Sequence, residues 1–151
     1  MMNFMPPPWP LTVATWNIHA GVGIDRRFAP ERIGTVLNEI GADIVALQEV
    51  PLGGEHWPNL LQELAQATRT VGVEGFTFSV GGRRFGNAIL SRYPVLDTRR
   101  IDISFGSREP RGALDADIYC HGHRLRVIAT HLGLRAAERR AQVARLLQVF
   151  D

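Results

Sequence analysis

One cysteine, Cys120, and no lysine occur among the 151 residues. A lone thiol excludes an internal disulfide and a zinc site built from several cysteines, so a reducing, cytoplasmic setting is expected. Membrane-spanning runs are missing too, and the longest apolar stretches are of strand length. The opening MMNFMPPPWP has neither the basic segment nor the apolar core of a signal peptide. Residues 1–11 therefore read as a disordered or extended lead-in. Charge excess is slight, since 17 arginines against 15 acidic residues give a net charge of +2. So mild a balance, with no basic stripe, argues against a dedicated DNA-binding surface. The exclusive use of arginine reads first as the coding bias of a GC-rich genome. Its second reading is a supply of guanidinium forks, which match phosphate oxygens.

What is present is ordinary globular material, 45% hydrophobic and 21% charged, enough for one domain with a real core. Val13 to Ile18 reads as a strand. Pro30 opens a helix with Ile33, Val36, Leu37 and Ile40 on one face, closed by Gly41. DIVALQEV, residues 43–50, is a second strand. A helix over about 56–68 follows, with Trp57, Leu60, Leu61 and Leu64 on one face. Phe76 to Val80 and Gly86 to Ser91 pair around Gly81-Gly82, and Arg99 to Ser104 is a further strand. Ala113 to Cys120 and Arg124 to Thr130 form a hairpin turning at His121-Gly122-His123. A last helix, about Arg135 to Phe150, carries Val143, Leu146, Leu147 and Phe150 on one face.

Helices alternate with strands early and hairpins follow late, which predicts an α/β fold with a mixed sheet. Ile44-Val45-Ala46-Leu47 and Val127-Ile128-Ala129 are apolar on both faces, so both faces of their sheet must be covered. The helices cover one. The other is expected to lie open and to associate with something else.

Three polar residues end apolar strands: Asn17 in TWNIHAG, Glu49 in LQEV and His131 in ATHLGL. Alone, Asn17 reads as a turn residue, Glu49 as a solvated position before Pro51, and His131 as structural. If the first two strands are parallel neighbours, Asn17 and Glu49 lie at one sheet edge, and taken together with His131 they point to one site. A carboxylate beside an amide oxygen is a hard site suited to Mg²⁺, with Mn²⁺ as a substitute. His131 there can donate to a phosphoryl oxygen or act as an acid. Arg108 and Arg111, in SREPRGAL, are phosphate-clamp candidates, equally readable as surface residues. His19 is close enough to Asn17 to line the same cleft, and His56 is undecided. His121 and His123 flank a turn, and no histidine pair has the helical spacing of a zinc site.

TWNIHAG, DIVALQEV, GNAILSRYP, REPRGAL and ATHLGL with ERRAQV resemble the endonuclease/exonuclease/phosphatase superfamily, in that family's order and across about Thr12 to Leu147. The resemblance implies a Mg²⁺-dependent phosphohydrolase acting on a phosphate ester, whether nucleic acid, nucleotide or phospholipid head group. Asn17 matches the family's active-site asparagine, Glu49 its metal-binding glutamate and His131 a phosphate-contacting histidine; Arg108 or Arg111 would contact phosphate. Family members are two-sheet sandwiches whose GDFN-like and SDH-like motifs supply further catalytic groups. Neither motif occurs in these residues. Residues 12–151 are thus expected to be the N-terminal part of such a domain: a mixed sheet with helices on one face, resembling the first half of the sandwich. A missing C-terminal half, or a second copy in a homodimer, would cover the open face. The competing expectation is a half-domain that associates through that face without catalysis.

Overall fold

A computed structural model describes residues 10–150. The lead-in expected over 1–11 therefore falls, through residue 9, outside the described residues. Thr12 is already tied down, its backbone N–H donating to Asp43 Oδ2 at 2.9 Å. The first sheet runs in the order β1 (Val13–Asn17), β2 (Ile44–Gly54), β5 (Arg83–Ser91), β4 (Val71–Val80). A short β3 (Trp57–Asn59) pairs with the far end of β2. β1 and β2 are parallel and the remaining pairs antiparallel. The second sheet is β6 (Val95–Asp102), β7 (Gly112–Cys120) and β8 (His123–Thr130), all antiparallel.

Helix α1 (Pro30–Ile40) joins β1 to β2. Pro30 sits in its first turn, where a missing N–H is harmless, and Gly41 ends it in a left-handed conformation with its N–H bonded to Leu37 O. Helix α2 (Leu60–Thr68) is capped by the Asn59 side chain, which accepts from Gln62 N. Ile33, Leu37, Leu60, Leu61 and Leu64 from these helices pack on Val45, Leu47, Ala88 and Leu90 of the first sheet. No helix among the described residues is long and apolar enough to cross a membrane.

The opposite face of the first sheet is not open. Ile44, Ala46 and Ile89 pack there on Leu114, Ala116, Ile118 and Ala129 of the second sheet. The chain covers its own sheet, because the alternation of Leu114, Ala116 and Ile118 turns one face of β7 inward. Close approach of the two layers needs Gly75 on β4, where a Cβ would lie 2.9 Å from the Leu114 Cβ. Glycines at 72 and 75 also hide the first half of β4 from a propensity reading, which starts that strand at Phe76.

Three other elements differ from expectation. Residues 57–59 form β3, a hairpin arm rather than the first turn of α2, so Trp57 is largely exposed. β6 begins at Val95 and ends at Asp102, earlier than the expected Arg99 to Ser104. Helix α3 (Ala136–Leu147) buries Glu138 and Gln142, whereas Val143 and Leu147, and Phe150 beyond the helix, are exposed. The polar edge faces inward because Gln142 Oε1 accepts from Gly133 N at 2.8 Å, satisfying a buried donor after β8.

The outer face of β7 carries Asp115 and Asp117, both buried. Asp115 accepts from Arg99 (Nε 2.9 Å, Nη2 3.1 Å) and Arg126 (Nε 3.0 Å, Nη2 2.8 Å). Asp117 accepts from Arg99 Nη1 at 3.1 Å and Arg124 Nη2 at 2.6 Å. Paired forks of this kind offset the cost of burying a carboxylate. The donors on Arg126 and then Arg99 hold the Asp115 carboxyl down to about 2. Because this lies below the ordinary aspartate value of about 3.9, the stabilisation is complete above about pH 4 and is lost as pH falls toward about 2. Urea unfolding midpoints measured across that range should show the loss. Asp115→Asn should flatten that part of the profile and destabilise at neutral pH by about 2 kcal/mol, less than a fully buried pair because both arginines reach solvent. An unchanged profile in the variant would remove the network from the stability account.

Candidate active site

The carboxyl end of β1 lies beside the middle of β2, with Asn17 opposite Gln48, so Glu49, expected at the end of a strand over 43–50, stands inside a longer one (Ile44–Gly54). β2 then breaks register against β5: Leu47 pairs with Ala88 but Val50 with Gly86, so β2 carries one extra residue. Glu49 occupies this bulge with φ +55°, a left-handed conformation that costs a non-glycine residue about 1 kcal/mol or more. Strain of this kind is retained where it aims a side chain.

Asn17 fixes that aim. Its Nδ2 donates to Glu49 Oε1 at 2.9 Å, and its Oδ1 accepts from His19 N at 3.0 Å. Only the amide nitrogen can face a carboxylate and only the oxygen can accept from a backbone N–H, so the two partners settle the orientation. Beneath them, Gln48 Nε2 donates to Thr15 Oγ1 at 3.1 Å, a polar tie between the same two strands.

His19 Nδ1 stands 3.4 Å from Glu49 Oε2, and His131 Nε2 stands 3.9 Å from Glu49 Oε1. His131 follows β8 directly, so the second sheet delivers it to the end of the first. Burial lowers its pKa from the ordinary histidine value, and the charge of Arg111 adds to this; Glu49 and Glu109 oppose it. His131 is therefore neutral at pH 7, with one ring nitrogen to donate and one to accept.

A cavity of ≈380 Å³ opens at this point. Glu49, His131, Arg111, Asn87 and Glu109 supply its polar lining, and Phe78, Val80, Phe85 and Pro110 its apolar lining. The Arg111 side chain is 11% exposed and bonds to the Glu109 carboxylate, while its Nε is buried with no protein partner. Arg108 is exposed and does not line the cavity. The structure thus brings Asn17, Glu49, His131 and Arg111 together and leaves Arg108 outside.

Asn87 was not singled out from the sequence. It is buried on β5 and its Nδ2 donates to Gly112 O at 2.8 Å, tying the two sheets together beside the cavity. The available signal was a polar residue inside an otherwise apolar strand, GNAILS. His121, expected at the turn, contacts Tyr93 Oη at 2.8 Å on the β7–β8 hairpin, and His56 lies exposed in the β2–β3 turn.

Among the described residues, no three His, Cys, Asp or Glu side chains converge as a metal cluster. One bulge-presented carboxylate could hold only an ion that keeps most of its waters and takes its remaining ligands from a phosphate, a donor set that fits Mg²⁺. Asn17 Oδ1 accepts from His19 N while its Nδ2 holds Glu49, so in such a site Asn17 could orient Glu49 and still offer the second lone pair of its oxygen.

The chain is 34% identical over 160 residues to the uncharacterized protein YbhP of Escherichia coli (strain K12), covering 90% of this chain and 58% of that protein. The chain therefore spans little more than half the length of the curated relatives it matches. Its fold is similar to that of an endonuclease/exonuclease/phosphatase from Beutenbergia cavernae (TM-score 0.74, 24% identity, 92% of this chain and 42% of the other). It is also similar to D. rerio TDP2 complexed with a single-strand DNA product (TM-score 0.68, 21% identity, 92% and 52% covered). Residues 14–151 match the Endonuclease/Exonuclease/phosphatase family over almost the whole chain, and the chain belongs to that family.

Proposed function

We propose that these residues form the metal- and phosphate-binding part of a Mg²⁺-dependent phosphoesterase. The observation that carries this reading is the convergence of Glu49, His131 and Arg111, from both sheets, on one cavity. Family membership supports phosphate-ester hydrolysis as the reaction class.

Glu49 would hold the ion, kept in place by Asn17 from one side and His19 from the other. Bound there, Mg²⁺ supplies Lewis-acid polarisation of the phosphoryl group and a counter-charge for the transition state. Arg111 sits nearly buried at the cavity wall with an Nε free of protein partners, and would donate to a non-bridging phosphate oxygen. Neutral His131 would donate a ring N–H to another oxygen as charge develops there. The acidic neighbours of His131 are Glu49 and Glu109. The Asp–His pair of the family's SDH-like motif has no counterpart in this sequence. A non-catalytic half-domain finds no favouring observation, since the sheet face it would use is covered by β7 and β8.

Calorimetric titration with Mg²⁺ tests the metal assignment. Glu49→Gln should weaken binding about tenfold or more, because a neutral amide replaces the charged hard ligand. Unaltered Mg²⁺ affinity in that variant would sink the assignment. His131→Ala should leave Mg²⁺ affinity nearly intact and lower phosphodiester turnover about a hundredfold in any active form carrying these residues. A large loss of metal binding there would place His131 among the ligands instead.

A further inference from the structure

The cavity wall opposite in character to Glu49 and Arg111 has no part in the reaction proposed above. Phe78 and Phe85, on β4 and β5, both line it and stack on each other with ring centroids 5.8 Å apart and planes 23° from parallel. The Arg83 guanidinium lies over the Phe85 ring at 4.9 Å and over the Trp57 ring at 5.0 Å. Trp57, Arg83, Phe85 and Phe78 are thus a run of neighbouring planar groups that ends in the cavity. Arg83 Nε is buried without a hydrogen-bond partner, as suits a cation held by ring faces rather than by acceptors. Rings fixed in this way lose little freedom when a ligand stacks on them.

From this we infer that the cavity takes a nucleoside phosphate, with its base stacked on the Phe78–Phe85 wall and its phosphate toward Arg111 and Glu49. The inference rests on the phosphoesterase reading for the phosphate end only. Charge favours this ligand over a polyphosphorylated head group. The cavity sets one cation, Arg111, against two carboxylates, Glu49 and Glu109, which accommodates one phosphate with its metal but not several. Size agrees: ≈380 Å³ is near the low end of pockets that enclose a small ligand. Stacking is tolerant of base identity, because every base has a π-face.

Calorimetry with adenosine 5′-monophosphate, ribose 5-phosphate and inorganic phosphate, each in the presence of Mg²⁺, separates the two ends of the site. Adenosine 5′-monophosphate should bind about tenfold or more tightly than ribose 5-phosphate. Phe78→Leu should abolish that preference while leaving ribose 5-phosphate affinity unchanged. Phe78→Tyr, which keeps the ring, should retain it, and circular dichroism checks that both variants fold. Equal affinities of the wild-type protein for the two ligands, or a preference that survives Phe78→Leu, would overturn the base subsite. In that case phosphate binding lost in Arg111→Ala would still uphold the phosphoesterase reading. Conversely, a ring-dependent base preference with no effect of Arg111→Ala would keep the subsite and reject that reading. A 5′-phosphorylated oligothymidylate serves as a further arm. Affinity equal to that of thymidine 5′-monophosphate identifies free nucleotides as the source, and tighter binding identifies strand ends.

Discussion

Ile44, Ala46 and Ile89 point to one side of the first sheet, and Val45, Leu47, Ala88 and Leu90 to the other, so this sheet must be covered twice. Leaving either set in water would forfeit roughly 1.5–3 kcal/mol for each large side chain. Helices α1 and α2 cover one face and the β6–β7–β8 sheet covers the other. The glycines at 75 and 86 follow from the same demand. A Cβ at 75 would press on Leu114, and one at 86 would lie 2.0 Å from the Gly75 carbonyl oxygen.

The site is a consequence of that double layer. Asn17 and Glu49 come from the first sheet, His131 and Arg111 from the edge of the second, and Asn87 ties the two together through Gly112. Within the first sheet, the bulge at Glu49 converts strand into presentation. A regular β2 would alternate its side chains strictly, whereas the extra residue and left-handed backbone turn the carboxylate toward the cavity. The Asn17 and His19 contacts then hold it before any ligand binds. Such preorganisation is the main catalytic resource in phosphoryl transfer, where positioning and charge stabilisation outweigh covalent chemistry.

Much of this was legible in the sequence. The periodicity of α1, its Pro30 start and Gly41 stop, the apolar run of β2 and the β7–β8 turn each carry a local signal that tertiary contacts did not override. So did the meeting of Asn17 with Glu49, which follows from the parallel register of β1 and β2, although Glu49 stands in a bulge inside β2 and His131 arrives from the antiparallel second sheet. The rest depended on partners distant in sequence. Trp57 reads as part of a helical face, but Asn59 caps the helix and Trp57 joins a hairpin. Val143, Leu147 and Phe150 read as a buried face, but Gly133 needed an acceptor and Gln142 turned inward. The burial of Asp115 and Asp117 has no local signal, because Arg99, Arg124 and Arg126 arrive from flanking strands. Arg108 and Arg111 were equal candidates until the loop folded and only Arg111 reached the cavity.

The central claim is that Glu49 carries the metal and Arg111 the phosphate in one cavity. Crystals of the chain grown with Mn²⁺ and inorganic phosphate, examined by anomalous scattering, test it most directly. Expected is a single metal peak about 2 Å from a Glu49 carboxylate oxygen, with phosphate bridging it to Arg111. A metal bound away from Glu49, or phosphate bound without contact to Arg111, would contradict the claim.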